Sequence, residues 1–249
     1  MGAAFRIGDE VAAADAGASA QDSNNITLQA GDTVYVLVFS SDGSPAVPTG
    51  VAWDPTGVNE AFTKIHDPGS ALFSFGYFSV WRAQGLTAKT GVIRATWSGN
   101  QGERGMIAWV GTDIDTGTPN GTIGTGTGAS GATSATANTS VGQLVLGFVW
   151  LLDTGGPGTS TFDSPNGTER NDVQTSPAYD SAASQDIAAS GATQAVTWTP
   201  SQNGDGWYSV AIPLNDAAPG GGGGGDGMTI PRKFRQSYRP RPFAPGSAR

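Results

Sequence analysis

At 249 residues, with a net charge of −8, no cysteine and a single histidine, the chain excludes a disulfide framework, thiolate metal sites and histidine clusters. Charge is segregated along it: residues 1–227 hold seven basic and 21 acidic side chains, a balance of −14, whereas six basic residues and no acid follow from Met228 onward. So acidic a body argues against nucleic acid as its partner, and seven tryptophans with ten phenylalanines supply a core that disordered chains lack.

Thirty-eight glycines and an abundance of Thr, Ser and Ala favour strands and turns over helices. The N-terminus has no apolar signal-peptide core, and no segment approaches the twenty apolar residues of a membrane span, so the expectation is a product made in a bacterial cytoplasm with no membrane partner. Phe5 and Ile7 suggest an edge strand that drifts into an alanine-rich loop through residues 11–20. Thr33 to Phe39 is β-branched, aromatic and almost wholly apolar, which predicts a central strand buried on both faces. Leu72 to Trp81 alternates as a strand, with Phe73, Phe75, Tyr77 and Trp81 on one face. Val92–Trp97 and Gly105–Val110 flank the polar stretch Ser98–Arg104 and read as an antiparallel pair.

Gly111 to Thr139 is almost all small and polar, which reads as a long cross-sheet connection, and then the pattern restarts. Gly31-Asp-Thr-Val-Tyr-Val-Leu-Val-Phe39 is echoed by Gly142-Gln-Leu-Val-Leu-Gly-Phe-Val-Trp150; Asp54 and Glu60 recur as Asp163 and Glu169; Trp97 and Gly105 recur as Trp198 and Gly206. The expected fold is therefore all-β, an antiparallel, jelly-roll-like β-sandwich with a twofold internal repeat. Its body spans residues 1–216, with halves at roughly 26–112 and 140–215, and one sandwich with pseudo-symmetric halves is preferred over two small domains. A glycine-rich linker, residues 217–227, and an extended tail, residues 228–249, follow.

Catalytic constellations are sparse. The repeated acids Asp54/Glu60 and Asp163/Glu169 are the candidates for a glycosidase pair, which requires carboxyl groups about 5 Å or roughly 6.5–9.5 Å apart, but turn-capping roles are favoured. Asp113 to Gly121 has acids and carbonyls that suit Ca²⁺, yet lacks EF-hand spacing and reads as an Asx-rich turn. His66 has no Gly-x-Ser-x-Gly elbow to serve and reads as a loop residue; no Gly-Lys-Ser/Thr motif marks a phosphate loop. The reading is of a non-enzyme with no cofactor and no metal. Trp207 and Tyr208 are candidate contacts for a host-surface glycan, and their side chains must point to opposite faces of a strand.

The tail carries the most specific pattern. Prolines 231, 240, 242 and 245 keep it extended, Arg232, Lys233, Arg235, Arg239 and Arg241 charge it, and Ile230, Phe234, Tyr238 and Phe243 are spaced to enter pockets on a partner. The Leu28-Gln-Ala-Gly-Asp-Thr-Val-Tyr-Val-Leu-Val-Phe39 stretch, with Phe75-Gly-Tyr-Phe-Ser-Val-Trp81, Ile93–Trp97 and Ile107–Gly111, resembles β-sandwich proteins encoded among tailed-bacteriophage structural genes and in bacterial surface proteins. That resemblance implies a virion component, such as a head decoration, fibre or minor tail protein, with no catalytic residues. The expected function is a structural protein displayed on the particle and anchored to the major capsid or tail protein through its basic tail, as a monomer or homo-oligomer. A carbohydrate-binding module for host adhesion is the alternative, and a polysaccharide-active enzyme the third.

Overall fold

The computed structural model describes residues 2–41, 46–68, 76–152, 161–175, 180–201 and 206–217, with the side chains of residues 12–17 left aside. The chain divides into two units, Met1–Pro219 and Gly220–Arg249. All tail residues named above, from Ile230 to Phe243, lie outside the described residues, as do Phe73 and Phe75.

The described structure is all-β and antiparallel. In chain order the first repeat contributes β1 (Ala4–Asp22), β2 (Ile26–Thr27), β3 (Thr33–Ser41), β4 (Pro48–Trp53), β5 (Glu60–Ala61), β6 (Thr63–His66), β7 (Gly76–Gln84), β8 (Thr90–Gly91) and β9 (Ile93–Thr112). The second contributes β10 (Gly124–Gly128), β11 (Thr133–Asn138), β12 (Leu144–Leu152), β13 (Phe162–Asp163), β14 (Thr168–Gln174), β15 (Asp180–Ala188), β16 (Thr193–Pro200) and β17 (Gly206–Pro213).

The twofold repeat recurs in the pairing of the main strands, although the short β2–β8 and β4–β5 pairs of the first repeat have no counterpart in the second. β3 lies between β7 and β9, and β12 lies between β15 and β17. β6 extends β7 as β14 extends β15. β1 pairs along β9 as β10 and β11 pair with β17 and β16. Both restart glycines enter their strands at positive φ, +89° at Gly31 and +82° at Gly142, where a Cβ would be strained. One detail shifts: Gly105 is the partner of Phe39, but Tyr208, not Gly206, is the partner of the equivalent Trp150.

Side-chain alternation along β3 fixes the layering. Val34, Val36 and Val38 face Val51, Trp53, Ile93, Trp97, Met106 and Val110 inside the first sandwich. Tyr35, Leu37 and Phe39 face away, onto Leu146, Phe148, Trp150, Val210 and Ile212 of the second repeat. The opposite face of β12, with Val145, Val149 and Leu151, joins Phe162, Val196 and Trp198 in the second sandwich. Each repeat thus closes its own core, and a third apolar layer joins the two. Because both central strands are apolar on both faces, each repeat packs one face of its larger sheet inward and the other against its counterpart, within the one compact unit Met1–Pro219. Across the shared layer β1 lies over β14, Trp109 of β9 reaches Asp186 of β15, and β6 and β7 meet Tyr208 of β17. Each pairing joins an element of one repeat to a different element of the other, which is the arrangement of a twofold, self-complementary interface.

Three expectations from the sequence are corrected. The alanine-rich segment of residues 11–20 is strand, part of β1, because the backbone ladder to β9 requires no large side chain. Val92–Trp97 and Gly105–Val110 do not pair with each other; they are the two ends of the single strand β9, which passes from the small sheet to the large one through the polar stretch. The small-residue bridge of residues 111–139 holds β10 and β11, whose close approach leaves no space for side chains: a Cβ on Gly124 or Gly126 would lie 1.8 or 1.7 Å from the carbonyl oxygens of Thr136 and Ser134.

Candidate functional site

All seven basic side chains of the body already hold partners. Arg94 grips Asp22 at 2.6 and 2.7 Å, Arg170 grips Asp186 at 2.7 and 2.9 Å, and Arg6 pairs with Asp32. Lys64 meets Asp67 and Lys89 meets Asp54, each at 2.6 Å. Arg82 donates to Asn120 Oδ1 and Arg104 to the Gln101 carbonyl. Among the described residues, Glu10, Asp163, Glu169 and Asp172 make none of these ion pairs, and they define the candidate site.

The repeated acids illustrate how. In the first repeat Asp54, at φ 45°, accepts from Val58 N at 3.1 Å and from Lys89, and these bonds hold its carboxyl below the usual range. Glu60 accepts from Thr87 N at 2.8 Å and Thr87 Oγ1 at 2.7 Å. Both are turn clamps. In the second repeat Asp163 and Glu169 lack such a cation and sit beside Asp172 and Glu10 at the seam where β14 meets β1. Burial, then the neighbouring charges of Asp172, Asp163 and Glu10, push the Glu169 carboxyl up. Burial also raises Asp172, although it accepts from Phe162 N at 3.1 Å, with Asp163 adding to the rise. Glu10 is raised by burial first, and the Asn171 amide only partly offsets this. Glu10 Oε2 and Asp172 Oδ1 are buried without a hydrogen-bond partner. The seam is an acidic strip, legible in the sequence only as the recurrence of the acids; the contribution of Glu10 comes from β1, which the sequence suggests only as an edge strand at Phe5 and Ile7.

The other sequence candidates fall elsewhere. Asp115 accepts from Gly117 N at 2.8 Å and Thr118 Oγ1 at 3.0 Å, which is an Asx-type turn. Among the described residues no group of three or more His, Asp or Glu side chains is placed to hold a metal, and no helix is long and apolar enough to cross a membrane. His66 is not an idle loop residue. It ends β6, its Nε2 lies 2.9 Å from the Tyr208 hydroxyl, and the two rings stack with centroids 5.7 Å apart. Burial lowers its basicity. Trp207 and Tyr208 do point to opposite faces, Trp207 into the second sandwich and Tyr208 into the shared layer. Both are buried, 7% and 8% exposed, so neither ring offers a stacking face to a sugar. No protein family, curated protein or solved structure matches this chain.

Proposed function

We propose that this chain is a non-enzymatic structural protein of a bacteriophage particle, a rigid acidic body displayed on the virion and anchored to the major capsid or tail protein through the basic segment from Met228 onward. The observation that supports it most is a contrast. Residues up to Pro219 form one compact unit filled by three apolar layers, and beyond it the sequence turns to six glycines and then to interleaved arginine, proline and aromatic residues. The body's polar groups are committed to ion pairs, turn clamps and the acidic seam, an outfit suited to solubility and rigidity rather than to turnover. Opposite charge on body and tail suits outward display with the cationic end on an acidic scaffold.

The test is truncation. Ala3 N bonds Asp216 Oδ1 at 2.8 Å and Ala217 N bonds the Asp113 carbonyl at 2.8 Å, so the cut belongs after Pro219, where the body keeps its last contacts. The expected result is a body with unchanged circular dichroism that no longer enters particles or retains coat protein in a pull-down. Undiminished incorporation of the truncated body would refute the anchoring role. Replacing Arg232, Lys233 and Arg235 by serine in the full chain is expected to weaken incorporation in a salt-dependent way.

A further inference from the structure

The body's last strand, β17, is continued by residues 214–217, which lie against the segment joining the two repeats; bridges pair Leu214 with Asn120 and Asp216 with Ile114. The Ala217 and Asp115 amides donate to the carbonyls of Asp113 and Asn215 at 2.8 and 2.9 Å. The Asn215 and Gly121 amides donate to those of Pro119 and Pro213 at 3.0 and 2.9 Å. Asp113, at φ 56°, turns the chain out of β9 into this pairing, a left-handed conformation that aspartate tolerates better than most residues.

Asn215 sits at the centre of the arrangement. Besides its backbone bonds, its Nδ2 donates to the Thr118 carbonyl at 2.6 Å and its Oδ1 accepts from Gln143 Nε2 at 3.0 Å. The Asx-type turn at Asp115 fixes Thr118 in place. Asp216 Oδ1 accepts from Ala3 N at 2.8 Å, beside the first pair of the β1–β9 ladder, Ala4 with Thr112. Leu214 and Ile114 are both buried in the shared layer.

These bonds reach both repeats. In the second, the Leu214 amide donates to the Leu144 carbonyl at 2.8 Å, and Gln143 immediately precedes the same strand, β12. In the first, β3 and β7 hold the joining segment: the Tyr35 hydroxyl donates to the Pro119 carbonyl at 3.4 Å, Gln84 Nε2 to the Asp115 carbonyl at 3.1 Å, and Arg82 to Asn120 Oδ1. Residues 214–217 are therefore tied to the central strand of each repeat, to β12 directly and to β3 through the joining segment. A strand pulled by one end gives up its ladder bonds one at a time, and without this extension β17 would be peeled from Pro213 inward.

We propose that residues 214–217 form a tension-bearing stem, which takes up a pull arriving from the C-terminal segment and divides it between the two repeats. The inference rests on the anchoring role proposed above, because an anchored body is pulled through this end. Each hydrogen bond is worth little singly, but the stem cannot leave until those to the joining segment, to Ala3 and to Gln143 have yielded. Asn215 is the positioning residue: one end of its side-chain amide holds the joining segment and the other holds the start of β12.

The experiment uses the full chain in magnetic tweezers. The chain has no cysteine, so Val58→Cys in the first repeat and Thr199→Cys in the second, both at exposed positions, give defined handles on the body. Each is paired in turn with a handle at Arg249, so that the load crosses the stem. In a third geometry Val58→Cys is paired with Ser98→Cys, also exposed, so that the first repeat is loaded and the stem is not. Asn215→Ala removes both side-chain bonds and is expected to shorten the lifetime at fixed tension by about tenfold in the two Arg249 geometries, and to leave the third unchanged. Unchanged lifetimes in the Arg249 geometries would overturn the proposal. So would an equal shortening in the third, which would make Asn215 an ordinary stabilising residue. Should Asn215→Ala fail to fold, Asp216→Ala decides by the same comparison, since its carboxyl is exposed and holds Ala3 alone among the bonds above. None of these readings needs a particle. A stem that answers as expected, while the chain cut after Pro219 still enters particles, would refute the anchor and leave the stem standing; the reverse pair of results would refute the stem.

Discussion

The two repeats share a core pattern and differ in how they treat the same acids. In the first, Asp54 and Glu60 are matched by Lys89 and by both donors of Thr87, and the turn between β4 and β5 is tied down. In the second, Asp163 and Glu169 keep the spacing but lose the cation, and their charge accumulates beside Asp172 and Glu10. Apolar positions are held because both sandwiches must fill a core and share a third layer; polar positions are released because a turn can be closed in several ways. The difference shows which half of the duplication is saturated electrostatically and which carries charge to spare.

The sharpest way to break the likeness of the two halves is through the shared layer. In register against the central strands, Trp109 faces Tyr35 where Ile212 faces Leu146. Trp109 is fully buried and its indole donates to Asp186 at 3.1 Å, beside the Arg170 pair. Trp109→Ala is expected to cost about 3–5 kcal/mol, read as the shift of a urea midpoint, whereas Ile212→Val should cost about 0.5–1.5 kcal/mol. Equal losses would mean that the layer is not continuous between the repeats. Next in size is the corner at which β10 crosses β11. The first repeat spans this corner with the unbroken strand β1, but the second does so with glycines that touch the Ser134 and Thr136 carbonyls. Gly126→Ala should cost about 1–3 kcal/mol through forced backbone movement, and a neutral result would show that the corner opens freely.

The histidine packed into the shared layer should make stability fall in acid. His66 is lowered by burial against Phe78 and Tyr208, so the stability it contributes is present above its unfolded value, about 6.5, and is lost as pH falls through the lower folded value. His66→Gln should therefore remove part of the acid-side decline and leave the alkaline side as it was. A variant that altered the alkaline limb instead would break the assignment.

How far all this could be read from the residues depends on side-chain size. β3 and β12 announced themselves because both faces are apolar, and the recurrence of Gly31 and Gly142 before them exposed the repeat. The alanine-rich half of β1, β10 and β11 are not legible as strands because Ala, Gly and Thr give no hydrophobic period; they are held by backbone ladders and by contacts that only small residues permit. β9 was misread as a pair since a strand that changes sheets has a polar middle, which in sequence looks like a turn. The acids at 163 and 169 are visible in the sequence, but Glu10 is not: it acquires its character from β14, a strand distant in sequence.

The smallest effects test the acidic contrast itself. Glu60→Gln in the first repeat removes a charge that accepts two bonds from Thr87, and is expected to destabilise by about 1 kcal/mol. Glu169→Gln in the second removes a charge that its neighbours oppose, and should stabilise. Because Glu169 is exposed, solvent screens most of that repulsion, and the gain should be only a few tenths of a kcal/mol. Two controls separate repulsion from altered packing. Added salt should shrink the gain, since screening already does part of what the substitution does. Acid should shrink it too: a raised carboxylate costs nothing once protonated, so the stabilisation by Glu169→Gln belongs to pH above its folded value and vanishes below the ordinary carboxylate range. A gain that persists unchanged in acid and in high salt would mean that the glutamine packs better, and the seam would then not be a store of uncompensated charge.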